Sequence, residues 1–135
     1  MKKVLVALVV GLGLQAFAGV SLLTSTIVIG GDKVYDYSLS RMLDRPIREV
    51  ASALGEVCVL TEHFYYEGGL SYTRVLLLKS GLESGGWTVR EIVPYGPSSS
   101  GRFGVWYMTK RRESVLAVLY EFSDGSAGVV SFCSL

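Results

Sequence analysis

The sequence has few of the residues that build catalytic and metal sites. Its 135 residues include a single histidine, His63, and only two cysteines, Cys58 and Cys133. Structural zinc sites use four Cys or His ligands, so a site of that kind is excluded. A histidine-activated nucleophile would have to depend on His63. We expect no metal and no cofactor, and no motif identifies a catalytic or ligand-binding residue.

The position of His63 restricts its chemistry further. In the run 56–66, rich in Val, Tyr and Phe, strand alternation places Cys58 and His63 on opposite faces. A Cys-His nucleophile or a metal site within this strand is therefore excluded, and we interpret His63 as a half-exposed strand residue. A hydrolase whose site assembles across strands around His63 and the Ser-rich loop 95–101 remains an alternative.

Charged side chains are scarce in the N-terminal part of the chain. After Lys2 and Lys3, no charged side chain occurs before Asp32. An apolar run over 4–14 is followed by Ala16-Phe17-Ala18, which has small residues where a signal peptidase cuts. We predict a signal peptide over 1–18, with cleavage between Ala18 and Gly19.

The alternative to cleavage is an uncleaved membrane anchor that extends to about Leu23, since 4–23 provides roughly the 20 apolar residues of a spanning helix. Both interpretations export the remainder as one domain, residues 19–135. The expected location is periplasmic or extracellular, or membrane-anchored with the domain outside the cytoplasm. Without Lys2 and Lys3, acidic side chains slightly outnumber basic ones, which gives no reason to expect nucleic acid.

The two cysteines are compatible with an oxidising compartment. A disulfide between Cys58 and Cys133 would close a long loop and tie the last strand to an early one. The alternative is two free cysteines that serve as small buried apolar residues. Sequence alone gives neither distance nor orientation, so both interpretations stay open.

The patterning predicts an α+β domain, with one short amphipathic helix packed on an antiparallel β-meander of five to six strands. The helix follows Pro46, is capped by Asp44 and stops at Gly55. A short strand is expected at 26–29. Six further strand-like runs are 56–66, 70–79, 86–94, 102–110, 114–123 and 127–134, with Glu67-Gly68-Gly69 and Asp124-Gly125 as the clearest hairpin turns.

The last hairpin can be given a register. With Asp124-Gly125 at its centre, Leu116 lies opposite Cys133, Val118 opposite Ser131 and Tyr120 opposite Val129. Both faces are largely apolar. The hairpin is therefore central in the sheet, or is covered by the helix or by a partner. A sheet curled into a barrel-like shape is an alternative.

One segment resembles a known group of proteins. The run 43–55, Leu-Asp-Arg-Pro-Ile-Arg-Glu-Val-Ala-Ser-Ala-Leu-Gly, is followed by a strand with Phe64-Tyr65-Tyr66 and a Gly-turned partner. Over about 43–79 it is similar to small exported domains of the SmpA/OmlA and β-lactamase-inhibitor-protein-like kind. The chain lacks their lipoprotein cysteine and has extra strands. The resemblance implies a non-enzymatic envelope or interaction module and assigns no functional residue.

These observations lead to one expectation and two alternatives. We expect an exported, non-catalytic binding or interaction module of the cell envelope or extracellular space. Its partner would be another protein or a second copy, and a membrane would be contacted only through an uncleaved N-terminal segment. The alternatives are the hydrolase built around His63 and loop 95–101, and a structural or inhibitory protein that acts through a face of the last hairpin.

Overall fold

The computed structural model describes residues 18–135, which form an antiparallel sheet with a helix on each face. The six-stranded sheet has the order β3-β4-β8-β7-β6-β5, and β1 and β2 form a separate hairpin. The strands are β1 (Ala18–Ser21), β2 (Thr26–Ile29), β3 (Asp32–Lys33), β4 (Thr61–Glu67), β5 (Thr88–Ser98), β6 (Gly101–Lys110), β7 (Glu113–Phe122) and β8 (Ala127–Ser134), and the helices are α1 (Tyr37–Ala53) and α2 (Tyr72–Ser84). The α+β class is confirmed, but the prediction of a single helix is wrong.

Strands β5 to β8 form the predicted meander. The last hairpin has the predicted register, with Leu116 opposite Cys133 and Val118 opposite Ser131. Gly125 adopts a positive φ of 71°, which an Asp-Gly turn supplies at little steric cost. Local alternation and the turn residues were therefore sufficient to predict this half of the sheet.

The predicted strand 70–79 is wrong, because this segment belongs to α2. Ser71 caps the helix by accepting a hydrogen bond from the Arg74 N–H, and Val75, Leu78 and Leu82 are buried at helical spacing. Glu67-Gly68-Gly69 is consequently not a hairpin turn. It leads into a helical crossover, and β4 pairs with β8 instead of with the next strand along the chain.

Helix α1 is longer than predicted. Asp36, not Asp44, caps its N-terminus by accepting a hydrogen bond from the Leu39 N–H at 2.8 Å, and Pro46 lies inside the helix. An internal proline typically costs about 3 kcal/mol, because it removes one backbone hydrogen bond and crowds the preceding turn. The fully buried side chain of Ile47 helps to offset this cost. Gly55, with a φ of 78°, follows the helix end as expected.

The two helices enclose the central strands from opposite sides. Helix α1 covers one face around Leu116, Val118 and Cys133, and α2 covers the other around Ala117 and Leu119. Both faces of the last hairpin are thus buried by this chain, which leaves no face there for a partner. The sheet remains open and does not close on itself, with β3 and β5 at its edges.

A disulfide joins Cys58, which follows α1, to Cys133 in β8. The choice between a bond and two free thiols is therefore settled in favour of the bond. The bond fastens the end of α1 to the central strand. Cys58 also lies on the α1 side of the sheet, contrary to the predicted alternation, because β4 begins only at Thr61.

Removing this bond should weaken the whole domain. The cysteines are 75 residues apart, and a loop of that length corresponds to about 4 kcal/mol in the chain-entropy account. We expect the combined Cys58→Ala and Cys133→Ala variant to lose about this much free energy of unfolding in urea. Wild-type protein reduced with dithiothreitol is the control and should show a similar loss. Equal urea midpoints for the oxidised and reduced forms would contradict the prediction.

Candidate functional site

His63 lies in the interior beneath α1 and does not face solvent. Its side chain is 1% exposed, so the interpretation as a half-exposed residue is wrong. The ring joins two side chains, since Nε2 lies 2.6 Å from Asp44 Oδ1 and Nδ1 lies 2.6 Å from Ser131 Oγ. Because a carboxylate only accepts hydrogen bonds, Nε2 carries the hydrogen, and the Nε2–H group donates this hydrogen bond to Asp44. The longer α1 explains the burial, since it covers this face of β4.

Asp44 is the electrostatic centre of this group. Its Oδ1 also accepts a hydrogen bond from Thr61 Oγ1 at 2.7 Å. Burial acts to raise the pKa of Asp44, but the hydrogen bonds from Thr61 and His63, together with the electrostatic influence of His63 and Arg48, outweigh it and lower the pKa below 3.8. The carboxylate is therefore ionised at neutral pH.

Ser131, His63 and Asp44 follow the order of a serine nucleophile, a base and an orienting acid. The Ser131 side chain is also 1% exposed, because it lies in the centre of β8 under α1. A reacting carbonyl must come within about 3 Å of the nucleophile, and no such space exists around a fully covered hydroxyl. In this position the group fastens α1 to β4 and β8.

The segment predicted as loop 95–101 is mostly strand. β5 continues to Ser98 and β6 begins at Gly101, which leaves Ser99 and Ser100 as the turn. Two strands, β8 and β7, separate β4 with His63 from this hairpin. The structure does not bring together the two parts of the hydrolase alternative. The turn instead borders an open cleft of about 460 Å³ with Phe103, Tyr120 and Phe122.

The N-terminal hairpin, β1 with β2, is fastened to the domain by a buried carboxylate. Glu62 in β4 accepts hydrogen bonds from Ser21 Oγ at 2.7 Å and from the Leu22 N–H at 2.6 Å, and it pairs with Lys33 Nζ at 3.0 Å. These bonds satisfy a carboxylate that would otherwise be costly to bury. The turn of the hairpin is thus an integral part of the fold.

Two close contacts complete the attachment of the hairpin. Trp87 Nε1 donates to the Thr24 carbonyl at 2.9 Å. At Gly19, a Cβ atom would lie 2.7 Å from the Phe64 ring, so only glycine fits there. The predicted cleavage site, Ala18 with Gly19, falls at the start of β1, and residues 1–17 of the predicted signal peptide lie outside the described residues.

The outward face of this hairpin is apolar. Val20 pairs with Ile27, Ile29 lies two residues further along β2, and all three are at least half exposed, Ile27 by 60%. The opposite face carries Val28, which is fully buried. The predicted strand at 26–29 is confirmed as β2, but the sequence did not show that it pairs with β1 and leaves one face exposed. The alternation around Val28 was the available signal.

Helix α2 also carries exposed apolar side chains. Leu76 and Leu77 are 67% and 49% exposed on its outer side. Gly81, one turn after Leu77, places the helix against β2, where a Cβ would lie 4.0 Å from the Ile27 carbonyl oxygen. We call Val20, Ile27, Ile29 and Leu77 together the apolar surface.

Few charges interrupt the outer side of α2. Arg74 Nη1 donates to the Gly69 carbonyl at 2.7 Å, and Lys79 Nζ pairs with Glu91 at 2.9 Å, so both side chains are engaged with neighbouring elements. The exposed residues beside the leucines include Thr73 and Ser80, which are neutral, and Glu83 in the last turn carries a charge. The middle of this helix side is therefore uncharged, as at interface centres.

Comparison with protein-family models, with curated proteins and with solved structures found no significant match. The resemblance of 43–79 to SmpA/OmlA and β-lactamase-inhibitor-protein-like domains therefore stays a prediction. Between residues 18 and 135, no group of His, Cys, Asp and Glu side chains could hold a metal ion. No helix in the same range is long and apolar enough to cross a membrane.

The Asp44 group should make stability depend on pH. Because the folded-state pKa of Asp44 lies below 3.8, its contribution is fully present above about pH 5 and is lost as the pH falls through the folded-state pKa. We expect Asp44→Asn to lower the free energy of unfolding at pH 7 by about 1–3 kcal/mol, as for a weakened hydrogen bond to a charged group. The difference should shrink towards pH 2 in urea titrations.

The matched control is Glu49→Gln on the same helix. Glu49 forms an exposed pair with Arg45, and such pairs contribute little. If the loss of free energy of unfolding in Asp44→Asn did not depend on pH, or were equal in both variants, the role of the Asp44 carboxylate would be contradicted.

Glu62→Gln should loosen the N-terminal hairpin selectively. In glutamine, an NH2 group takes the place of one carboxylate oxygen and would face hydrogen-bond donors. Lys33 would also lose its carboxylate partner. We expect hydrogen exchange of the Leu22 and Val28 amides to accelerate by about tenfold or more, with β6 and β7 unchanged. Glu67→Gln, an exposed site in the same strand, should leave these rates unaltered. Uniform acceleration throughout the sheet would contradict a local role.

Proposed function

We propose that this chain is an exported, non-catalytic binding module that captures a protein partner through its apolar surface, in the cell envelope or outside the cell. The observation that carries the proposal is the outward face of a firmly attached hairpin, where Val20, Ile27 and Ile29 all face solvent. Exposed apolar patches of this kind mark interaction sites in soluble domains. The hairpin is held by Glu62, so its exposed face is preorganised.

Export is supported by two features. The Cys58–Cys133 bond is compatible with an oxidising compartment. The backbone N–H of Leu22 binds Glu62, so this residue belongs to the folded domain and not to the outer end of an anchor. The apolar run that precedes the domain is then 4–17, shorter than the roughly 20 residues of a spanning helix and typical of a signal-peptide core. These features favour release over tethering.

Binding is favoured over catalysis by the position of the single histidine. His63 and Ser131 are both covered by α1, and the serines at 98–100 lie in a different part of the sheet. The alternative interaction site on the last hairpin is disfavoured because both of its faces are occupied by the chain's own helices.

A protein partner fits the apolar surface better than an anionic lipid surface does. Lipid surfaces attract clusters of exposed Lys and Arg, whereas Lys33, Arg74 and Lys79 near this surface are all engaged by carboxylates or carbonyls. Neutral hydroxyls between aliphatic side chains, as at Thr73 and Ser80, suit the mixed chemistry of a protein interface. We expect the partner to present aliphatic side chains in turn.

Site-specific photocrosslinking tests the proposal. The full chain would be expressed with its leader in its own organism, with p-benzoylphenylalanine in place of Leu77. We expect a covalent adduct with one partner, whose mass distinguishes another protein from a second copy. Adding Ile27→Lys should abolish the adduct, because an ammonium group would be buried in an apolar contact.

The matched control places the crosslinker at Val57, which is 77% exposed and aliphatic but does not belong to the apolar surface. Val59→Lys controls for the added charge, since Val59 is also exposed outside this surface. Adducts of equal yield at 57 and 77, or no adduct at 77, would overturn the proposal.

A further inference from the structure

The open cleft beside the β5–β6 turn combines aromatic and polar side chains. Its volume of about 460 Å³ falls within the range of about 300–1,000 Å³ that is usual for small-molecule sites. Aromatic residues of β6 and β7, the serines of the turn, an ion pair and Pro46 of α1 line it. None of these residues belongs to the apolar surface.

Three aromatic side chains form the apolar part of the cleft. Phe103 in β6 lies directly opposite Tyr120 in β7, and Phe122 follows two residues later, so strand alternation places all three on one face of the sheet. The rings of Tyr120 and Phe122 are 6.1 Å apart and inclined at 46°. Phe122 is 44% exposed, so a ligand in the cleft can reach an aromatic ring.

A turn of fixed geometry forms the polar part of the cleft. Gly101 has a φ of 128°, and a Cβ atom there would collide with the Glu121 carbonyl oxygen, so only glycine lets the turn lie this close to β7. Ser98 Oγ donates to the Gly101 carbonyl at 3.2 Å. Ser99 and Ser100 are exposed within the turn. Their hydroxyls can both donate and accept hydrogen bonds beside the aromatic rings.

The charges at the cleft are already partnered. Arg102 Nε lies 3.5 Å from Glu121 Oε1, and its guanidinium group stacks over the Tyr72 ring at 4.6 Å. The other oxygen of Glu121 accepts a hydrogen bond from the Leu70 N–H at 2.8 Å. Because the two opposite charges offset each other, the cleft favours a neutral ligand over an ion.

Aromatic rings beside free hydroxyls match the two sides of a sugar ring. A pyranose with equatorial substituents presents an apolar face of C–H groups to an aromatic ring, and its rim carries hydroxyls that donate and accept. A flat hydrocarbon would leave the hydroxyls of Ser99 and Ser100 unused. A proline-rich segment has carbonyl acceptors but no N–H donors at its prolines, so it would use only part of their capacity.

We propose that this cleft binds a pyranose unit of a neutral glycan, which stacks on Phe122 and forms hydrogen bonds with the hydroxyls of Ser99 and Ser100. The site goes beyond the capture of a protein partner, because it shares no residue with the apolar surface. Its occupancy can therefore be tested without that partner.

Nitrogen-15 NMR titration of the purified, disulfide-bonded chain tests the site. The probe is cellobiose, a neutral disaccharide of equatorially substituted pyranoses, and the comparator is sorbitol, which has hydroxyls but no ring. We expect millimolar cellobiose to shift the amide signals of Ser99, Ser100 and Phe122 in a saturable way. Sorbitol and decaproline at the same concentration should leave these signals in place.

Variants separate the contribution of the ring from that of the hydroxyls. Phe122→Ala should weaken cellobiose binding about tenfold because the stacking ring is lost, whereas Tyr35→Ala, at an 85% exposed position outside the cleft, should leave binding unchanged. Ser99→Ala combined with Ser100→Ala should also weaken binding about tenfold. Ser52→Ala, at an exposed position on α1, is the matched control.

Four outcomes would overturn the proposal. Millimolar cellobiose could leave all three amide signals unmoved, or sorbitol could shift them equally, which would exclude recognition of a sugar ring. Larger shifts with decaproline would reassign the cleft to proline-rich peptides. Equal weakening by the cleft variants and their controls would place the binding elsewhere.

Discussion

Burial of both faces of β7 and β8 is the constraint on which the rest of the structure depends. Side chains of β7 from Val115 to Leu119 are all buried, alternately beneath α1 and α2. A sheet with two apolar faces needs a covering layer on each side, and one helix cannot supply both. Helix α2, which the sequence pattern predicted as a strand, is therefore required because both faces of the last hairpin are apolar. The positions of the N-terminal hairpin beside α2 and of Cys58 beside α1 follow from this layering.

The predictable part of the fold is the part in which neighbours along the chain are neighbours in the sheet. Asp124-Gly125 and simple alternation gave the register of the last hairpin correctly. At 75–78 four apolar residues in succession fit a buried strand as well as a helix, and periodicity cannot separate the two. The helix is favoured by Ser71 at its start and by the need to cover the second face, which is a tertiary requirement. The prediction that the helix starts after Pro46 was wrong for a related reason. The packing of Ile47 in the core stabilises a helix that continues through this proline.

The candidate sites were less predictable than the fold, because each depends on contacts that are distant in sequence. Strand alternation correctly placed the side chains of His63 and Glu62 on opposite faces of β4. It could not show that Asp44, on α1, would form a hydrogen bond with the His63 ring. The exposed face around Ile27 was not recognised from the sequence, because the apolar run that precedes it has a similar composition.

The pairing of β4 with β8 affects when the domain can be completed. For a chain that emerges N-terminus first from a ribosome, β4 gains its central neighbour only when β8 has appeared. The hairpin of β1 and β2 depends on Glu62 in that same β4, and Cys58 depends on Cys133 for its bond. Segments from the first third of the chain are thus secured by residues that are synthesised long after them.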